Sequence, residues 1–168
     1  GANVRLGWAP RSHLQVISAS PDFELTAVCT TRRESAEESA RKFGARLAFS
    51  DYREMLAHPG IDAVSVVVRV PSHYEPTMAA LTAGKHVYTE WPLGQTTAQA
   101  MEMADKARAM GVRTMIGLQA RASAGIVYLK ELIEEGYVGD VLSCHMSLIR
   151  EGVLERPSHR TWQRDVSL

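Results

Sequence analysis

Short runs of apolar and β-branched residues alternate along this chain with longer stretches whose apolar positions recur at helical spacing. Residues 24–30 (Glu-Leu-Thr-Ala-Val-Cys-Thr) predict a strand, and residues 34–43, rich in Ala, Glu, Arg and Lys, predict a helix. Gly44 follows as its stop, the usual position for glycine just past a helix C-terminus. Asp51 is a helix cap for residues 52–56, and His58-Pro59-Gly60 ends that short helix. Residues 62–68 are nearly all apolar, as expected of a strand covered on both faces of a parallel sheet. The alternation continues with a helix over 76–83 closed by Gly84, a strand over 86–89, and a strong helix over 97–110. In that last helix Ala100, Met103, Ala104 and Ala107 share one face, and Gly111 is the stop. A strand over 113–118, a helix over 124–135 and a strand over 141–148 complete the series. Residues 150–168 have no clear period and read as loop. Such alternation implies βαβ units and an α/β fold with a doubly wound parallel sheet.

The beginning of the chain departs from that scheme. A helix candidate over 9–19 is preceded by the glycine-bearing loop 1–7, and no strand comes before the loop. In a doubly wound sheet the first strand is central, with the second and fourth on either side. Without it those neighbours carry unpaired backbone groups, each costing about 1–3 kcal/mol when buried. The expectation is therefore a piece of a longer protein, lacking its first strand and most of a second domain.

Composition narrows the function classes. Of 168 residues, 45% are hydrophobic and 23% charged, which excludes a predominantly disordered chain. Nineteen basic residues balance nineteen acidic ones, so there is no basic surplus of the kind that nucleic-acid binding shows. No apolar run approaches the roughly 20 residues of a membrane span, and Gly1-Ala2-Asn3-Val4-Arg5 does not read as a signal peptide. Cys29 and Cys144 lie in apolar runs without metal-ligand spacing, pointing to a reducing, cytoplasmic setting and no metal.

Four stretches carry candidate chemistry, and each also has a plainer reading. In Gly1-Ala2-Asn3-Val4-Arg5-Leu6-Gly7-Trp8 the glycines would let a pyrophosphate approach the backbone ahead of a helix N-terminus. Asn3 stands at the middle glycine of that fingerprint and tolerates positive φ; the alternative is an ordinary turn before a helix. Thr30-Thr31-Arg32-Arg33 ends the second strand of the scheme, where an acid selects NAD and an arginine accommodates a 2′-phosphate. Two hydroxyls and two arginines point to NADP; the alternative is a solvated basic turn. Pro71-Ser72-His73 follows the most apolar strand, at the carboxyl end where open α/β sheets bind ligands. His73 there is a ligand contact or a helix cap. Glu90-Trp91-Pro92 ends another strand, and the proline keeps Trp91 out of the helical region. Projection into a crevice and a core Trp beside a capping Glu both fit that spacing.

Read together, these stretches resemble the glucose-fructose oxidoreductase, inositol dehydrogenase and rhizopine-catabolism (Gfo/Idh/MocA) family of NAD(P)-dependent proteins. The resemblance rests on Pro71-Ser72-His73, on Ala83-Gly84-Lys85-His86-Val87 leading to Glu90-Trp91-Pro92, and on Glu131-Leu132-Ile133 followed by Gly136-Tyr137-Val138-Gly139-Asp140. It implies a Rossmann domain over 1–120 and, over 121–168, the start of a C-terminal α/β substrate and oligomerisation domain. It implies that Gly1 and Gly7 hold the pyrophosphate, with Asn3, Trp8, Glu90 and Trp91 also among the cofactor-binding residues, that Thr30, Thr31 and Arg32 surround the adenosine ribose, and that Pro71, Ser72 and His73 line the nicotinamide side. The implied cofactor is NADP or NAD, the implied reaction hydride transfer on a sugar- or polyol-like substrate, and the implied assembly a homo-oligomer.

One departure bears on catalysis. The family pattern is Glu-Lys-Pro, with the lysine near nicotinamide and substrate, and here Trp91 stands in its place. An indole can stack on a ligand but carries no proton for acid–base work. The family's catalytic His and Asp fall beyond Leu168, so no catalytic residue is assigned. Glu90-Trp91 with Gly117-Leu118-Gln119-Ala120-Arg121 looks most like the branch that includes the yeast inhibitor of galactose-pathway transcription, which keeps the dinucleotide site and acts through a protein partner. Gln119 and Arg121 are expected at the same crevice, Arg121 alternatively as a surface charge at a helix start. Two classes of function follow: a pyridine-nucleotide oxidoreductase, and a cofactor-binding regulator without turnover.

Overall fold

A computed structural model describes residues 1–5 and 7–147. They divide into two compact units, residues 1–118 and the residues from 119 onward.

In the first unit, a 3-10 turn Ala9–Arg11 leads into helix α1, His13–Ala19. The helix is shorter than the predicted span because its first turn is 3-10: the Arg11 and Ser12 amides bond carbonyls three residues back, Trp8 O and Ala9 O. Strand β1 (Ala27–Cys29), helix α2 (Arg33–Phe43) and strand β2 (Leu47–Phe49) follow. β1 and β2 pair in parallel, Ala27 opposite Leu47 and Cys29 opposite Phe49. Then come α3 (Tyr52–Ala57), β3 (Ala63–Val66), α4 (Tyr74–Thr82), β4 (His86–Glu90), α5 (Thr97–Met110) and β5 (Thr114–Gly117). The last three strands form a parallel sheet with β4 in the middle, Ser65 opposite Tyr88 and Tyr88 opposite Met115. Two local signals work as expected. The Asp51 side chain accepts from the Arg53 amide to cap α3, and Gly44 (φ 75°) and Gly111 (φ 64°) end α2 and α5 in the left-handed conformation.

Among the described residues β1 and β2 form one sheet and β3, β4 and β5 another, and the two share no ladder. The start of the chain links them instead. The Ala2 amide donates to Cys29 O at 3.3 Å, Gly1 N donates to the carbonyl of Val67, and the buried Ser39 hydroxyl on α2 donates to Ala2 O. Residues 1 and 2 therefore sit where the carboxyl ends of β1 and β3 come together. The larger core lies on the α4/α5 side of the three-stranded sheet, where Val66 and Val87 meet Ala80, Leu81, Met103 and Ala107. A smaller cluster joins Leu14, Val28 and Ala40.

In the second unit a 3-10 turn, Gln119–Ala122, precedes helix α6, Ala124–Glu134. Two sequence expectations need correction. The strand over 141–148 does not form: residues 141–147 are irregular and mostly exposed, with no partner strand to pair them among the described residues, and Leu148 lies outside the described residues. Strand β2 was not anticipated, because three residues between Arg46 and Ser50 are too short to show a period. The predicted loop over 150–168 lies outside the described residues.

Leu81 is fully buried between α4 and the sheet. Leu81→Ala is expected to lower unfolding free energy by about 2–5 kcal/mol, read as a drop in denaturant midpoint at unchanged slope.

Candidate functional site

Because every strand pair is parallel, the loops after β1, β3 and β4 emerge at carboxyl ends, the positions where doubly wound sheets take their ligands. Within the first unit most of the sequence-predicted residues lie on these loops or on the segment 1–8 that reaches them.

Gly7 has φ 98°, a conformation that side-chain-bearing residues rarely adopt. Asn3 Oδ1 accepts the Arg5 amide at 2.9 Å, a local turn that stiffens the loop, so asparagine acts here through its side chain rather than through positive φ. Trp8 precedes the 3-10 turn and is 53% exposed. The turn changes the expected phosphate site. Where a full helix N-terminus was predicted, Pro10 offers no N–H, and the Arg11 and Ser12 amides already donate to Trp8 O and Ala9 O.

After β1, Thr30 is buried, its hydroxyl 2.6 Å from that of Ser35 and donating to Arg32 O at 2.8 Å. It shapes the turn and leaves the exposed Thr31 and Arg32 to face outward. The two arginines differ. Arg33 donates to Glu37 at 2.7 Å and to Ala48 O at 2.9 Å, whereas the Arg32 guanidinium has no ion pair among the described residues.

After β3, Pro71 and Ser72 form an exposed 3-10 turn, while His73 is 1% exposed. Its Nδ1 lies 2.8 Å from Pro92 O and its Nε2 3.0 Å from Val68 O. Carbonyls only accept. A ring with one N–H therefore bonds one of them at a time, and a ring with two bonds both. The imidazole of His73 braces two loops from inside.

At the end of β4, Glu90 and Trp91 part company. The Trp91–Pro92 peptide bond is cis and the Trp91 side chain is 60% exposed. Glu90 turns back under α1, where its Oε1 lies 2.5 Å from His13 Nε2, with only 13–14% of either side chain exposed. A carboxylate only accepts, so His13 Nε2 carries the proton, and a neutral ring then accepts from the Ser65 hydroxyl at Nδ1, 3.1 Å away. Tyr88 packs edge-on against His13 with ring centroids 5.0 Å apart. Burial, and secondarily the Glu90 charge, push the Tyr88 phenol above its ordinary pKa. A Cβ on Gly117 would fall 2.6 Å from Tyr88 Oη and 3.1 Å from Glu90 Cδ, so a glycine at that position leaves room for this cluster. Sequence reasoning missed His13, Ser65 and Tyr88, because nothing in spacing links position 13 to position 90. Gln119 and Arg121 lie in the second unit, both exposed on the 3-10 turn.

A doubly wound, nucleotide-type α/β domain with polar loops at its carboxyl ends is the class these features define. A family model described as "Oxidoreductase family, NAD-binding Rossmann fold" matches residues 4–118, and the chain belongs to that family. It is 35% identical over 133 residues to D-glucoside 3-dehydrogenase of Escherichia coli, covering 79% of this chain and 38% of that protein. It is 31% identical over 156 residues to the galactose/lactose metabolism regulatory protein GAL80 of Saccharomyces cerevisiae, covering 88% and 36%. Among solved structures, scyllo-inositol dehydrogenase from Lactobacillus casei with bound NAD(H) and scyllo-inositol superposes with a TM-score of 0.75 at 26% identity, covering 80% of this chain and 40% of that one. KijD10, a 3-ketoreductase from Actinomadura kijaniata in complex with TDP-benzene and NADP, gives 0.72 at 30% identity, covering 76% and 40%. The chain thus spans 36–40% of the length of these relatives. Among the described residues no helix is long and apolar enough to cross a membrane.

The two free cysteines should be told apart by thiol labelling. Cys29 is half-buried and its thiol is pushed up by burial, whereas Cys144 is exposed. Near pH 8 one thiol per chain is expected to react quickly and the second at least tenfold more slowly; Cys144→Ser should remove the fast phase alone.

Proposed function

We propose that this chain binds NADP in preference to NAD and forms the nucleotide-binding part of an oxidoreductase acting on a sugar- or polyol-like substrate. The observation that carries the cofactor choice is Arg32, exposed at the carboxyl end of β1 with its guanidinium outside any ion pair among the described residues and no acidic side chain at positions 30–33. A guanidinium there suits a 2′-phosphate, where an acid would suit a free ribose hydroxyl. The donors present suit a dinucleotide: the Gly7 backbone bend at the loop, the exposed Thr31 hydroxyl and Arg32 at the ribose, and the exposed Pro71-Ser72 turn and Trp91 on the other half. When bound, a nicotinamide dinucleotide supplies the hydride acceptor or donor. Asn3 stiffens the loop, Glu90 holds the end of β4 in place, and Gln119 and Arg121 belong to the second unit as the start of a substrate and oligomerisation domain. The reading carries with it a reducing, cytoplasmic setting and a homo-oligomer.

A second reading has its own observation. Trp91 occupies the place at the end of β4 where the sequence resemblance calls for a lysine, and an indole moves no proton. GAL80, a regulatory protein by name, is similar over 88% of this chain. On this reading the chain binds the dinucleotide without turnover and acts through a protein partner.

Calorimetric titration with NADPH and, separately, NADH tests the cofactor choice. NADPH is expected to bind at least tenfold more tightly. Arg32→Ala should weaken NADPH by about 10- to 100-fold with little change for NADH, while Arg33→Ala should change either by much less. Equal affinities for the two nucleotides in the unmodified protein would overturn the NADP assignment. Reduction of NADP by a panel of sugars and polyols, followed by absorbance, then separates the enzyme from the regulator.

A further inference from the structure

We propose that His13 and His73 clamp the segment 90–92 from its two sides and so present Trp91 as a fixed stacking surface for the nicotinamide ring. The inference rests on the dinucleotide-binding reading above and adds positioning residues to it.

The anchors flank the tryptophan in sequence and come from separate elements. On one side the Glu90 carboxylate is held at 2.5 Å by His13 of α1, which is itself fixed by the Ser65 hydroxyl and by the edge of Tyr88. On the other side the Pro92 carbonyl lies 2.8 Å from the buried His73 ring, whose second nitrogen faces Val68 O beyond the end of β3. Between these two ties the Trp91 side chain is 60% exposed. An indole held this way has already lost the freedom of its backbone, so a ligand stacking on it pays less ordering cost.

The fold selects the ligand ring. A doubly wound sheet binds a dinucleotide as two halves, one mononucleotide over each βαβ portion. Arg32 lies on the β1 half, which takes the adenosine ribose, so the β3–β5 half takes the nicotinamide. Trp91 follows β4, the central strand of that half. Offset stacking of two flat rings is the contact its exposed face offers. The two histidines are positioning residues. They act through the residues on either side of Trp91.

The test compares NADPH with 2′-phospho-ADP-ribose, which keeps the adenosine and its phosphates and lacks the nicotinamide; NADH and ADP-ribose are the pair to use if NADH is the tighter nucleotide. In the unmodified protein the complete dinucleotide should bind about tenfold more tightly than the truncated one. Trp91→Ala should abolish that ratio and leave the affinity for the truncated ligand unchanged. His13→Ala should reduce the ratio at least threefold, and His13→Gln, whose amide can still donate to Glu90, should restore it. His73→Ala is included where its melting curve shows a folded protein, and the His13 and Trp91 variants decide the matter without it. Binding of neither ligand by the unmodified protein would sink the nucleotide reading and the clamp together. A ratio near one in the unmodified protein, or variants that weaken both ligands equally or neither, would overturn the clamp alone.

Discussion

The strands 63–66, 86–90 and 114–117 run parallel, so the chain returns from the end of each to the start of the next through a helix, and all three carboxyl ends meet on one edge. Most features of functional interest in the first unit depend on that constraint. Burying Leu81, Met103 and Ala107 against Val66 and Val87 fixes α4 and α5 on one face and leaves the edge loops free of packing duty. Those loops then carry exposed residues, among them Pro71, Ser72 and Trp91.

Polar groups inside this domain are used as fasteners. Among the described residues no buried side-chain nitrogen or oxygen lacks a partner. Leaving such a group unpaired costs more than an average hydrogen bond returns, so each buried one marks a contact that the fold must keep. Thr30 with Ser35 shapes the turn after β1, Ser39 holds Ala2, His73 ties two loops, and His13 with Ser65 and Glu90 ties α1 to β3 and β4. Residues singled out as ligand contacts thus separate into two kinds. Thr30, His73 and Glu90 hold the loops, and Thr31, Arg32, Pro71, Ser72 and Trp91 face outward from them.

The family match covers residues 4–118, nearly the same residues as the first compact unit. Relatives named as a dehydrogenase and as a regulatory protein, D-glucoside 3-dehydrogenase and GAL80, resemble this chain at 35% and 31% identity. Proteins of both names are thus similar to one chain, whose first-unit loops expose Thr31, Arg32, Pro71, Ser72 and Trp91.

The sequence by itself determined the alternation of elements, because helical and extended periods are local properties of a few neighbouring residues. Helix 97–110, the glycine stops at 44 and 111, the aspartate cap at 51 and the parallel arrangement were all legible in that way. The glycine-bearing loop at 1–7 and the Pro71-Ser72-His73 turn were legible as turns ahead of helices, although the first of those helices begins as a 3-10 turn. Tertiary structure alone decided the rest. Strand β2 exists because Ala48 finds Val28 beside it, and residues 141–147 stay irregular among the described residues despite a strand-like pattern. The pairing of His13 with Glu90 across 77 positions, and the burial of His73 between two carbonyls, have no local signature at all. A side chain's partner is set by where the backbone carries it, and that is a property of the packed chain rather than of the residues next to it.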